Sequence, residues 1–145
     1  MIVNGRGSVK TEIDANERVY DQRLWINKIR FLKEELDIIQ KNLDKMVRYY
    51  GNEEFMSEVE QYQNKIIVYH EVADRIIKDY KMLRNKFGEI NGSNDAPEEI
   101  GRLHEIKAEM DIKAERFVGF LQELKENFLS FYTSYHLSDN HVFGK

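Results

Sequence analysis

Four residues of this 145-residue chain, Trp25, Tyr80, His104 and Lys107, have side chains suited to chemistry and a spacing that can gather them. If the chain reverses at Gly51 and again near Gly92, Trp25 comes level with Tyr80, and Tyr80 level with His104 and Lys107. Inside a bundle of helices such a level is a possible polar pocket, where a desolvated lysine or histidine has its pKa lowered and can act as a base. The plainer alternative is that Lys107 extends its ammonium to the surface along an apolar stem. Trp25 and Tyr80 then turn their polar atoms to the edge.

Metal chemistry finds less to work with. A di-metal centre in a helical bundle needs carboxylates and Glu-x-x-His units on facing helices, because each ion requires several inward ligands at one level. The chain has no Glu-x-x-His; His70 has Asp74 one turn on, and His104 has Glu105 beside it. These two histidines stand about three helical turns apart along the molecule and cannot share an ion. His136, Asp139 and His141 near the C-terminus form only a weak chelating cluster. Cysteine is absent, which removes thiolate nucleophiles, thiolate metal sites and disulfides together and suits a reducing compartment. Neither a Ser-His-Asp arrangement nor a phosphate-binding glycine loop can be traced, so no catalytic residue, cofactor or metal is expected and the chain reads as a non-enzyme.

Composition narrows the partners. Charged residues make up 33% of the chain, mixed in sign, with a net charge of -4, so no basic block is available to neutralise a nucleic-acid backbone. Met1 to Lys10 lacks the apolar run of a signal peptide, and nothing approaches the roughly 18 consecutive apolar residues of a membrane span. The expectation is a soluble cytoplasmic protein. One proline and eight glycines leave few helix breakers, and Glu, Lys, Leu, Ile and aromatic residues supply the usage of long helices.

Three helices follow from the punctuation. Asp14 can cap the first, with Glu17 reaching back in a capping box. This helix should run to Tyr50, where Gly51 suits a left-handed C-terminal cap and Asn52 can cap the next helix at once. The second helix should end at Phe87, before Gly88. Asp95, Pro97 and Glu98 repeat the start signal, and the third helix should run from Ala96 to about Tyr135. The bundle then occupies residues 14–135, with a flexible N-terminal segment 1–13 and a C-terminal tail 136–145. Helices of about 35 to 40 residues rise on the order of 50 to 60 Å, which predicts a rod.

A heptad pattern says how they pack. Trp25, Ile29, Leu32, Leu36, Ile39, Leu43, Met46 and Tyr50 follow alternating steps of four and three. Phe55, Val59, Tyr62, Ile66, Tyr69, Ala73, Ile76, Tyr80, Leu83 and Phe87 do the same. So do Ile100, Leu103, Lys107, Met110, Ala114, Phe117, Leu121, Leu124, Phe128, Phe131 and Tyr135, among which Lys107 alone is charged. One such seam per helix predicts an all-α, antiparallel three-helix bundle, up-down-up, coiled with a left hand. With Trp25 in its first helix, this pattern resembles the architecture of a spectrin-type repeat. The run from Trp25 to Leu36 and the segment from Glu58 to Asn64 also look like a set of small uncharacterised bacterial helical proteins, a resemblance that implies a bacterial cytoplasmic protein and no particular activity.

Two features point outward from the seams. Aromatic residues gather near the first turn: Tyr49, Tyr50, Phe55, Phe128, Phe131, Tyr132 and Tyr135 would fill the wide end of the bundle or line a ligand pocket there. Leu24, Phe31 and Ile38 recur every seven residues roughly 130° around the first helix from its seam, where an intramolecular core has no use for them. A row of large apolar groups in water commonly marks a contact surface. A second copy, a different protein or the chain's own tail, through Leu137, Val142 and Phe143, could cover it; a membrane surface is disfavoured for want of a cationic face beside it. The expected function is therefore that of a non-enzymatic interaction or assembly module, a homodimer or the binder of a protein partner, with a small-molecule or metal-binding bundle as the alternative.

Overall fold

The computed structural model describes the backbone of residues 2–90 and 96–143 and the side chains of residues 22–90 and 97–135. Three helices, α1 (Ile2–Tyr49), α2 (Glu53–Ile90) and α3 (Ala96–Phe143), account for the described backbone apart from the reversal at residues 50–52. They pack as an all-α three-helix bundle. The chain divides into two compact units, each containing part of every helix: Met1–Arg30 with Asp74–Ala114, and Phe31–Ala73 with Glu115–Lys145.

Contacts within the second unit fix the helix directions. His70 on α2 meets Asp37 on α1, and Tyr50 meets Phe55, so α2 runs back along α1. Tyr69 packs on Phe117, Tyr62 on Phe128 and Phe55 on Phe131, so α3 runs back along α2 and parallel to α1. Lys125 on α3 accordingly reaches Glu35 on α1. In the first unit Tyr80 reaches Asp111 and Phe87 packs against His104, the same antiparallel sense.

No described member of the three heptad series is exposed. Ile29, Leu36 and Leu43 of α1, Phe55, Val59 and Tyr80 of α2, and Ala114, Leu121 and Leu124 of α3 are buried; Tyr62, Tyr69, Phe131 and Tyr135 are half-buried. In the first unit Leu83, Ile90 and Leu103 form a cluster with Phe87, Ile100, Ile106 and Met110 packed against it. Side chains at alternating three- and four-residue spacing share one face of a helix, and removing that face from water drives the helices together. The buried seam is wider than the strict repeat, because Ile26, Ile77 and Val118 are buried on its flanks.

The helix ends differ from expectation. α1 begins at Ile2 and not at Asp14, and α3 continues past Tyr135 to Phe143. Neither extension contains proline, so nothing interrupts the backbone hydrogen-bond ladder there. The backbone through Phe143 thus prolongs α3; the side chains of Leu137, Val142 and Phe143, which were expected to be able to cover the outer face of α1, lie outside the described residues.

Gly51 departs from the expected left-handed cap, since no described glycine has positive φ. Tyr50 N–H still donates to the Met46 carbonyl at 3.0 Å, closing the last turn of α1. The reversal is secured from the other side: the Asn52 side-chain oxygen accepts the N–H of Phe55 at 2.7 Å, and its carbonyl accepts that of Met56 at 3.0 Å. This is an N-cap with the side-chain geometry that satisfies a free N–H in the first turn.

Gly88 was expected to end α2, yet the helix passes through it to Ile90, whose buried side chain belongs to the Leu83 and Leu103 cluster. A Cβ built on Gly88 meets nothing within 4 Å. Glycine in a helix interior costs about 0.5 to 1 kcal/mol relative to alanine. Gly88→Ala is therefore expected to raise stability by about that amount, read as a higher denaturation midpoint with an unchanged denaturant slope.

Candidate functional site

Three places hold the functional candidates: the polar level of the first unit, the aromatic end of the second, and the outer face of α1. In the first unit the structure joins Tyr80 to Lys107 through a residue the heptad reading passed over. Asp111 accepts the Tyr80 hydroxyl at 2.7 Å on one carboxylate oxygen and the Lys107 ammonium at 2.8 Å on the other. Tyr80 is fully buried and the Lys107 side chain is only 11% exposed, so the charge at this core position is answered within the protein and not carried to the surface. Asp111 stands one turn beyond Lys107, the spacing at which residues on one helix face meet.

The other two members of the expected pocket lie nearer the surface. His104 is exposed and rests edge-on against Phe87, with ring centroids 6.0 Å apart. Trp25 is half-buried, with the Lys28 ammonium 5.7 Å from its ring centroid in a cation–π arrangement. Gln22 is buried instead, and its Oε1 has no hydrogen-bond partner among the described residues. One more heptad step back from Trp25 lands on Gln22, and this is the signal that could have found it.

At the aromatic end Phe55 is fully buried, stacked on Phe131 at 5.7 Å and edge-on to Tyr135 at 5.0 Å. Tyr50 packs on both Phe55 and Tyr135, and its hydroxyl donates to the Tyr135 carbonyl at 3.0 Å. The rings thus fill this end as core. Beside them α2 and α3 leave an open polar furrow of about 650 Å³, bordered by Glu54, Glu58 and Lys65 on one side and Asn127 and Ser130 on the other. Burial, followed by the negative charge of Glu58, holds the Tyr62 hydroxyl above the ordinary tyrosine pKa. Burial, Glu58 and Glu54 do the same for Tyr135, whose hydroxyl makes a long 3.4 Å contact to Glu58. Elsewhere in this unit His70 Nε2 lies 2.9 Å from Asp37, pairing α2 to α1. No group of three or more His, Asp or Glu positioned for a metal occurs among the described residues.

The outer face of α1 stands in water. Leu24, Phe31 and Ile38 are 48%, 58% and 57% exposed. In the second unit Ile38 borders an apolar furrow of about 290 Å³ between α1 and α3, completed by Ile39, Asn42, Phe128, Leu129 and Tyr132. Leu129, 62% exposed, is the part of this surface that the α1 repeat could not disclose. The Lys125 ammonium crosses the furrow to Glu35 at 2.8 Å, with the lysine itself largely in solvent.

Two outcomes test the roles assigned here. Asp111→Ala removes the carboxylate that accepts from a buried hydroxyl and a nearly buried ammonium and is expected to cost roughly 1 to 3 kcal/mol in denaturant unfolding, whereas substitution of the exposed His104 by alanine should stay within about 0.5 kcal/mol. For the tyrosines, a folded pKa above the unfolded value means the neutral hydroxyl is favoured by folding. The stability it contributes is full below about pH 10 and lost as pH rises through the folded pKa. Ultraviolet titration of the phenolates should show Tyr62 and Tyr135 ionising late, and Glu58→Gln should bring both back toward the ordinary range.

Compared with protein-family models, with curated proteins and with solved structures, the chain finds no match in any of the three.

Proposed function

We propose that the chain is a non-enzymatic interaction or assembly module acting through the outer face of α1 and the adjoining edge of α3. One observation carries this reading. Phe31, Ile38 and Leu129 are each more than half exposed, while every described heptad position of the seams is buried or half-buried. The fold has thus used the seams for itself and left a second apolar surface to spare. Burying one side chain of this size is worth about 1.5 to 3 kcal/mol, which is ample reason for a partner to settle there.

The partner in this reading is protein, with self-association to a homodimer the form favoured. A net charge of -4 works against nucleic-acid binding, and no helix among the described residues is long and apolar enough to cross a membrane. Residence in a bacterial cytoplasm belongs to the same proposal and rests on the cysteine-free composition and the sequence resemblance. A small-molecule role would fall to the polar furrow beside Tyr62 and Tyr135, which lies open along its length rather than enclosed as a ligand of several atoms would favour.

Light scattering coupled to size exclusion tests the proposal. The wild-type chain should have twice the monomer mass of 17.3 kDa. Phe31→Glu should be a monomer with unchanged helical circular dichroism. A wild type that remains monomeric at high concentration would remove self-association.

A further inference from the structure

The charges around Ile38 indicate how a second copy would lie on this face. An isologous interface formed by a two-fold axis must be complementary to its own reverse, since residue i of one copy meets j of the other and j meets i. On the outside of α1, Glu34 and Glu35 precede Ile38 by about one turn, while Lys41 follows it by about one turn and Lys45 by two. Glu34, Lys41 and Lys45 are exposed, and Glu35 is half-buried where it meets Lys125. Of the two remaining acids of this stretch, Asp37 is directed away from this face to His70 on α2, and Asp44 accepts the side-chain amide of Gln40 on its own helix at 2.9 Å.

Parallel packing of two such helices in register would set Glu34 against Glu34, Lys41 against Lys41 and Lys45 against Lys45, opposing like charges along the contact. Reversal about Ile38 does the opposite. It brings the acidic pair of each copy to the level of Lys41 in the other and lays Lys45 across the exposed ring of Phe31, where its stem covers apolar surface and its ammonium can meet the ring face. Ile38 then meets its own copy on the axis, beside the furrow that ends at Leu129.

We propose that a second copy of this chain docks antiparallel on the α1 and α3 face of the second unit, with the two-fold axis at Ile38 and with Glu34 and Glu35 paired to Lys41 across it. This deepens the assembly reading above and rests on it.

The absence of cysteine makes the arrangement directly measurable. Ile38→Cys alters an exposed position and should cross-link to itself rapidly under mild oxidation, because only residues on the axis bring their Cα atoms within about 7 Å of their own copies. Phe31→Cys and Lys45→Cys should each self-link poorly, yet link to one another when the two variants are mixed. In the charge test, Lys41→Glu should weaken dimerisation about tenfold, an effect that salt reduces, and Glu34→Lys with Glu35→Lys in the same chain should restore it. If the wild type is a dimer but Lys45→Cys self-links as fast as Ile38→Cys, or the charge reversal restores nothing, the antiparallel register is overturned while assembly stands. If the wild type is a monomer, both fall together.

Discussion

Phe55 is held twice, and the geometry of the aromatic end depends on it. Its backbone N–H is bound by the Asn52 side chain, which starts α2, and its ring is fully buried against Tyr50, Phe131 and Tyr135. The same residue therefore sets where α2 begins and which face it turns inward. A shift of one residue in the start of α2 would rotate that face by about 100° and take Val59 and Ile66 out of the core with it. The tight reversal and the heptad register are thus one constraint seen at two scales, which is why the reversal needs no left-handed glycine: the cap on α2 does the work that Gly51 was expected to share.

The core's polar members impose a constraint of another kind. Lys107 occupies a seam position where leucine would pack more simply, and it is tolerated because Asp111 supplies the opposite charge one turn away and Tyr80 completes the carboxylate's hydrogen bonding. Such a set adds little net stability compared with apolar packing, since desolvating the charges offsets their attraction, but it punishes misalignment by leaving a charge buried alone. Tyr80 on α2 and Asp111 on α3 can meet in one register only, so the pair defines how these two segments align in the first unit. Gln22, with an unpartnered oxygen, has no such compensation within the described residues.

Most of this fold was legible because its governing signal is periodic. Steps of three and four from Ile29 to Met46, and from Phe117 to Phe128, name the buried positions without knowledge of any neighbour. The helix ends were not legible in the same way. Asp14 and Gly88 have the chemistry of terminators, but a capping residue only offers an alternative to the backbone ladder, and the burial of Ile90 beyond Gly88 outweighs the glycine's cost. Of the four residues placed on one polar level, Tyr80 and Lys107 come together on Asp111, while Trp25 stands half-buried with Lys28 over its ring and His104 is exposed. Level along a helix axis follows from counting; the direction around the axis in which a side chain finds a partner depends on the facing helix, and that is what singled out Asp111.

The outer face of α1 differs from the other exposed apolar residues in a way that follows from helix geometry. Ile67 and Val68 are also exposed, but they diverge by about 100° around α2, and among the described residues no other exposed large apolar residue stands one or two turns from either to extend them into a stripe. Met82 and Ile112 lie in the other unit. Phe31 and Ile38 stand seven residues apart and share a face, and Ile38 shares a furrow with Leu129 from a different helix. Scattered apolar groups are normal on any protein surface; a set that converges from two helices is not required by the fold and is costly to leave in water. That convergence, together with a charge order that matches its own reverse, is the ground on which this face is proposed as an assembly surface.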